Sequence, residues 1–155
     1  MNSIEKIINT LQYRKETIAV AESITGGKLA AALTSAPGSS KVFLGGIVAY
    51  SIESKVQELG IPKRLINKFG VYSEEIALEM ANGVRKKFNS DWSIASTGVA
   101  GPGPAEETPA GSIWLVIIGP QATQNIRLSL QGSREEIRVG AVTSAVATLE
   151  RILEQ

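Results

Sequence analysis

The 155 residues contain no histidine and no cysteine. Thiolate nucleophiles, Ser-His-Asp triads, disulfides and zinc sites built from Cys or His are therefore excluded, whatever the fold. An acyl-transfer reaction on this chain must draw its base from Lys, Tyr, Glu, Asp or water. A charge excess is missing as well: 16 Lys and Arg face 15 Asp and Glu. No broad basic or acidic face then points to nucleic acid or a membrane surface, and recognition of a phosphate must be local. No run approaches the ~20 consecutive apolar residues of a membrane span. The opening Met1-Asn2-Ser3-Ile4-Glu5-Lys6 lacks the basic-then-apolar layout of a secretory signal. These absences predict a cytoplasmic protein with neither a nucleic-acid nor a membrane partner. The length and the 43% apolar content fit one compact domain over residues 1–155.

What is present patterns the chain into alternating helices and strands. Ile4, Ile7, Ile8 and Leu11 recur at helical spacing and predict an amphipathic first helix. Thr17 to Ala21 is a short β-branched and apolar run ahead of Gly26-Gly27, which reads as a buried strand feeding a turn. A second helix is expected from Lys28 to Ser35, ending before Pro37-Gly38, and a second strand over Val42 to Tyr50. Two short helical pieces lie between Ser54 and Phe69, separated by Gly60-Ile61-Pro62. Ser73 caps a stronger helix whose stripe is Ile76, Ala77, Met80, Ala81, Val84 and Phe88.

Trp92 to Thr97 reads as a third strand, running into Gly98-Val99-Ala100-Gly101-Pro102-Gly103-Pro104, a stretch too rich in glycine and proline for regular structure. Ile113 to Ile118 and Ile126 to Leu130 are predicted as a hairpin joined around Gly119-Pro120. Ser133 and Glu136 make a capping-box start for a last helix that buries Ile137, Ala141, Val142, Ala145, Leu149, Ile152 and Leu153. Helical crossovers between the first three strands imply parallel pairing, because parallel strands need a long return path. The loop from Gly98 to Ala110 holds no helix, so the fourth strand runs antiparallel to its neighbours. The expected fold class is α/β: a three-layer α/β/α sandwich around a mixed five-stranded sheet, with ligands at the carboxyl ends of the parallel strands.

Several positions at that edge could carry chemistry. Ser23 sits where a strand gives way to a helix, a turn that can expose Oγ beside backbone N–H groups, although a serine before a glycine pair also serves as a helix cap. Gly26 and Gly27 allow close approach of backbone to a ligand, or simply make the turn. Tyr50, Ser51 and Lys55 follow the second strand, at the same edge as Ser23. Lysine can act as a base toward serine if its environment depresses its pKa, a fall from about 10.4 to about 7 costing roughly 4 to 5 kcal/mol; otherwise Lys55 is a solvated helix residue. Thr97-Gly98-Val99-Ala100-Gly101-Pro102 could line a pocket with N–H donors or be only a tight loop. Ser39 and Ser40 offer hydroxyls to a phosphate or end a helix, and Arg134 could pair with phosphate or carboxylate or lie free on the surface.

Assembled in order, these pieces resemble the CinA C-terminal domain family, whose stand-alone members include nicotinamide mononucleotide amidohydrolases of the PncC type. The resemblance rests on Ala21-Glu22-Ser23-x-Thr25-Gly26-Gly27, Gly38-Ser39-Ser40, Gly45-Gly46 followed by Tyr50-Ser51-x-x-x-Lys55, Gly70-Val71-x-Ser73, Met80-Ala81, Thr97-Gly98-x-Ala100-Gly101-Pro102, Pro109-x-Gly111 and Gly132-x-Arg134-x-x-x-Arg138. Each motif alone is weak, and their order and spacing over essentially the whole chain make the joint signal. Three positions depart from the pattern: Ser133 stands where an acidic residue often precedes the arginine, Tyr72 replaces a smaller residue, and Pro104-Ala105-Glu106-Glu107 makes the loop less glycine-rich.

The resemblance implies that Ser23 is a nucleophile helped by Tyr50 and Lys55, that Thr97 belongs to the pocket and that Arg134 lies near substrate. Thr25, Gly26, Gly27, Ser39, Ser40, Gly98, Ala100 and Gly101 complete the expected binding set. The implied reaction converts nicotinamide mononucleotide to nicotinic acid mononucleotide and ammonia in a homodimer, with no metal or organic cofactor. The alternative is a non-catalytic nucleotide-binding module tied to competence or DNA damage.

Overall fold

A computed structural model describes residues 1–155. In chain order its elements are α1 (Ser3–Arg14), β1 (Ile18–Glu22), α2 (Lys28–Leu33), β2 (Phe43–Val48), α3 (Ile52–Leu59), α4 (Lys63–Phe69), α5 (Glu74–Phe88), β3 (Trp92–Gly98), β4 (Ser112–Ile118), β5 (Thr123–Ser129) and α6 (Arg134–Leu153), with a single 3-10 turn at Ser39–Lys41. Helix starts are written in the sequence. Asn2 accepts from the Glu5 amide while the Glu5 carboxylate accepts from the Asn2 amide, and Ser133 and Glu136 repeat the same reciprocal box ahead of α6. Ser73 caps α5, with Glu74 and Glu75 in its first turn and Arg85, Lys86 and Lys87 in its last, the charge order that the helix dipole favours.

The strands form one sheet in the order β2-β1-β3-β4-β5. β1 pairs parallel with both β2 and β3, whereas β4 is antiparallel to β3 and to β5. This is the expected mixed sheet with its fourth strand reversed. Alternation along the strands feeds two cores. Val20, Ile94, Ile113 and Leu115 pack under α1, α2 and α6 with Ile8, Leu29 and Leu149. Ala19, Ala21, Ala95 and Val116 pack under α3, α4 and α5 with Leu59, Ile66 and Met80. The result is the three-layer sandwich, and the central strand β3 is buried on both faces. Truncating a fully buried Leu or Ile here, such as Ile94 or Leu115, would cost ~2–5 kcal/mol.

The strand order also locates a crevice. From β1 the chain crosses through α2 to one neighbour, β2, then returns through α3 to α5 on the opposite face to the other neighbour, β3. The carboxyl ends of β1 and β3 therefore splay around a topological switch point, where open α/β sheets hold ligands.

Candidate functional site

Alternation in β1 decides what its last residues do. Val20 faces α2 and Ala21 faces α5, so Glu22 returns to the α2 side and Ser23 to the α3 side. Glu22 is buried, and its two carboxylate oxygens accept from the amides of Leu29 (2.8 Å) and Ala30 (3.0 Å). The N-cap of α2 is Gly27, which has no side chain to offer, and Glu22 supplies the missing acceptors from the strand. The Ser23 amide donates to the Ser96 carbonyl at 2.9 Å, and the Ala49 amide to the Glu22 carbonyl at 2.8 Å. The turn is thus held to both neighbouring strands.

Ser51 caps α3 through a reciprocal pair with Ser54, which fixes the helix start and aims Lys55 back at the sheet. Lys55 Nζ lies 3.1 Å from Ser23 Oγ and donates to the Ala49 carbonyl at 2.7 Å. The lysine is 2% exposed and Ser23 8%. No carboxylate forms an ion pair with it. Burial without a counter-charge lowers its pKa from 10.5 to about 8.

Above this pair opens a cleft of about 380 Å³, within the range of small-molecule sites. Ser23 and Lys55 line it together with Tyr50, Tyr72, Glu106, Arg134 and the loop from Gly98 to Ala105. Arg134, the first residue of α6, donates to the Gly101 carbonyl at 2.6 Å and to Tyr50 Oη at 3.0 Å. Burial pushes the Tyr72 phenol pKa up, with the charge of Glu106 and then Tyr50 adding to the rise. Among the backbone donors at the cleft with no acceptor within the chain are the N–H groups of Ile24 and Ala100. No three carboxylates converge as a metal-ligand cluster.

Of the residues singled out by sequence, Ser23, Tyr50, Lys55, Gly98, Val99, Ala100, Gly101, Pro102 and Arg134 meet at the cleft, whereas Thr25, Gly26, Gly27, Ser39, Ser40 and Thr97 do not line it. Thr97 shares the α5-facing side of β3 with Ala95 and donates to the Val71 carbonyl at 2.7 Å. Thr25 is buried, its hydroxyl 2.7 Å from Ser96 Oγ. Gly26 and Gly27 have φ of +57° and +103° and carry the chain into α2; a side chain at Gly26 would start 2.5 Å from the Arg138 guanidinium. Ser39 and Ser40 precede β2, and so sit at the amino edge of a parallel strand, ~20 Å from the carboxyl edge at ~3.3 Å per residue. Ser39 Oγ donates to the Thr34 carbonyl at 3.3 Å.

Sequence reasoning passed over Tyr72 and Glu106 as cleft residues, noting them only as departures from a pattern. It also gave no role to Ser96 or to the Glu22 carboxylate. The period of two in β1 and β3 was the available signal for these last two, since it assigns each residue a face.

Comparison with known proteins gives the family and the fold. Residues 1–153 match the CinA C-terminal domain family. A CinA-like protein of Prochlorococcus marinus is 47% identical over 152 residues, covering 96% of this chain and 36% of that protein. A putative competence-damage inducible protein of Desulforudis audaxviator is 39% identical over 97% of this chain and 37% of its own length. This chain thus spans little more than a third of these curated relatives. Among solved structures, competence damage-inducible protein A of Klebsiella pneumoniae superposes with a TM-score of 0.94 at 31% identity, covering 100% of this chain and 99% of that one. The competence/damage inducible protein CihA of Agrobacterium tumefaciens gives 0.91 at 31% identity, covering 100% and 98%. The chain belongs to the CinA C-terminal domain family.

Proposed function

We propose that this chain is an amidohydrolase that converts nicotinamide mononucleotide to nicotinic acid mononucleotide and ammonia, with Ser23 as nucleophile and Lys55 as its base. The observation that carries the reading is the 3.1 Å approach of Lys55 Nζ to Ser23 Oγ at the floor of an open cleft. In a chain without histidine, a buried amine is the base within reach of that hydroxyl. With its pKa near 8, about a tenth of Lys55 is neutral at pH 7. The neutral amine keeps one N–H on the Ala49 carbonyl and turns its lone pair to Ser23.

Oγ then attacks the carboxamide carbon while its proton passes to Lys55. The tetrahedral oxyanion falls to the unpaired N–H groups of Ile24 and Ala100, each such donor being worth ~3 kcal/mol. The Lys55 ammonium returns its proton to the amide nitrogen, the C–N bond breaks and ammonia leaves an acyl-enzyme. Water, deprotonated by the neutral lysine, attacks that ester and releases the acid. Tyr50 Oη accepts from Arg134, which leaves its own proton free to turn into the cleft toward the leaving group. The Arg134 guanidinium lies at the cleft where a substrate phosphate can approach. The reading takes the protein to act in the cytoplasm as a homodimer; no helix is long and apolar enough to cross a membrane.

Ammonia release from nicotinamide mononucleotide, nicotinamide and NAD tests it. The mononucleotide is expected to be the preferred substrate, and Ser23→Ala to abolish turnover with its thermal melt nearly unchanged. Substantial turnover by Ser23→Ala removes Ser23 from its role. Tight binding of the mononucleotide by the unsubstituted protein without ammonia release would favour a non-catalytic binding module.

A further inference from the structure

The segment from Ala105 to Thr108 is a two-residue hairpin. Each end residue's amide donates to the other's carbonyl, at 3.0 Å and 2.8 Å. Its central residues, Glu106 and Glu107, have φ of +47° and +63°. Such turns favour Asn and Gly, which adopt left-handed backbone at little cost. The other two non-glycine residues with positive φ, Lys15 and Asn89, are helix C-caps, where that geometry is routine. The two glutamates therefore keep an unfavourable backbone beside the cleft, and strain of this kind gathers where a side chain has work to do.

Only one of the two faces the site. Glu106 lines the cleft and is its one carboxylate, against the two cations Lys55 and Arg134; Glu107 does not line it. Glu106 forms no ion pair within the chain. Its Oε2 lies 3.6 Å from where a side chain at Gly70 would begin, a position left open by the glycine. Tyr50 and Tyr72 line the same space. A carboxylate held in no ion pair, beside two phenol rings, is the chemistry that recognises a flat organic cation, through Coulomb attraction and the electron-rich ring faces. Arg134, committed to Gly101 and Tyr50, lies at the cleft with the opposite preference, for an anion.

We infer that Glu106, with Tyr50 and Tyr72, selects ligands whose ring carries a fixed positive charge, an N-substituted pyridinium over the neutral pyridine. The inference rests on the proposed reaction for its substrate, and it assigns to Glu106 a specificity role that the nucleophile and base do not supply.

The test is a pair of NMR titrations, with the 1-methylnicotinamide cation and with neutral nicotinamide, on the unsubstituted chain, Glu106→Gln and Glu107→Gln. Glutamine keeps the size and hydrogen-bonding reach of Glu106 and removes its charge. The cation is expected to bind the unsubstituted chain more tightly than the neutral ring. Glu106→Gln should weaken the cation about tenfold and leave the neutral ring within twofold, while Glu107→Gln changes neither. Kinetically, Glu106→Gln should raise KM for nicotinamide mononucleotide far more than it lowers kcat. Equal loss of both ligands in Glu106→Gln, equal effects of the two glutamine variants, or no preference for the cation in the unsubstituted chain overturns the inference. Ammonia release with an unchanged KM in Glu106→Gln sinks the inference and leaves the reaction standing. Glu106-dependent cation binding without ammonia release sinks the reaction and leaves the charge selection standing.

Discussion

Arg134 donates to Tyr50 Oη at 3.0 Å, and its other terminal nitrogen holds the Gly101 carbonyl at 2.6 Å. One guanidinium at the head of α6 thereby joins the exit of β2 to the loop after β3, two segments that have no other polar link at the cleft. Lysine has a single nitrogen and cannot reproduce this planar two-pronged bridge.

Tyr50 and Arg134 should consequently act as a unit. Arg134→Lys and Tyr50→Phe are each expected to lower kcat/KM by roughly 10- to 100-fold, and the double variant by much less than the product. The coupling should fall in the range of ~0.5–3 kcal/mol found for residues in one hydrogen-bond network. Arg134 is exposed, so the cost to folding should stay below ~1 kcal/mol. A double-mutant cycle on kcat/KM checks this, and strict additivity would show that the bridge has no part in catalysis.

Burial of Lys55 makes opposite demands on activity and stability. Its folded pKa of about 8 lies below the unfolded value of 10.5, so between these values the unfolded chain binds the extra proton. Stability gains with rising pH across that window, and below about pH 8 the full cost is present, ~3 kcal/mol at ~1.4 kcal/mol per unit. Lys55→Met has no proton to lose. Relative to that variant, the unsubstituted chain should therefore become more stable by ~3 kcal/mol from pH 8 to 10.5 and hold a constant offset below pH 8. Chemical denaturation at several pH values measures the gap. With Lys55 as the proposed base, active only when neutral, kcat/KM should climb with pH and level off above about 8. A flat rate profile, or a stability offset that does not move with pH, would remove Lys55 from its assigned role.

Why the fold was so legible is visible in particular elements. The helices announce themselves by caps and stripes, as at Ser73 with Ile76 to Val84, and the reversed fourth strand follows from a helix-free loop ahead of a hairpin. Errors fall where the signal is not periodic. β5 begins at Thr123, three residues before the apolar run suggests, since Thr123, Gln124 and Asn125 pair through their backbones with Ile118, Ile117 and Val116 of β4, whatever their side chains. α3 starts at Ile52 because Ser51 caps it with Ser54 as the reciprocal partner, where a glutamate is the usual cue. The Ser23 to Lys55 approach was legible because parallel strands deliver their ends to one edge. Tyr72 and Glu106 were not, because a loop's direction depends on backbone torsions that no apolar pattern encodes.

Glu22 gives the most local link between fold and site, since it precedes Ser23, the proposed nucleophile, by one residue and holds the next helix. Both carboxylate oxygens accept backbone N–H bonds in a buried setting. In Glu22→Gln one acceptor becomes an NH₂ group facing the Leu29 or Ala30 amide, two donors with nothing between them. An unsatisfied buried donor costs ~1–3 kcal/mol, which in a domain of this size lowers the melting temperature by roughly 2–4 °C per kcal/mol. The α2 terminus must shift to relieve the conflict, and Ser23 Oγ moves with it away from Lys55. Glu22→Gln is therefore expected to melt earlier and to lose kcat more than it raises KM, although Glu22 does not line the cleft. A variant with unaltered melting and kcat would mean that the α2 amides find other acceptors and that the turn is held by the strands alone.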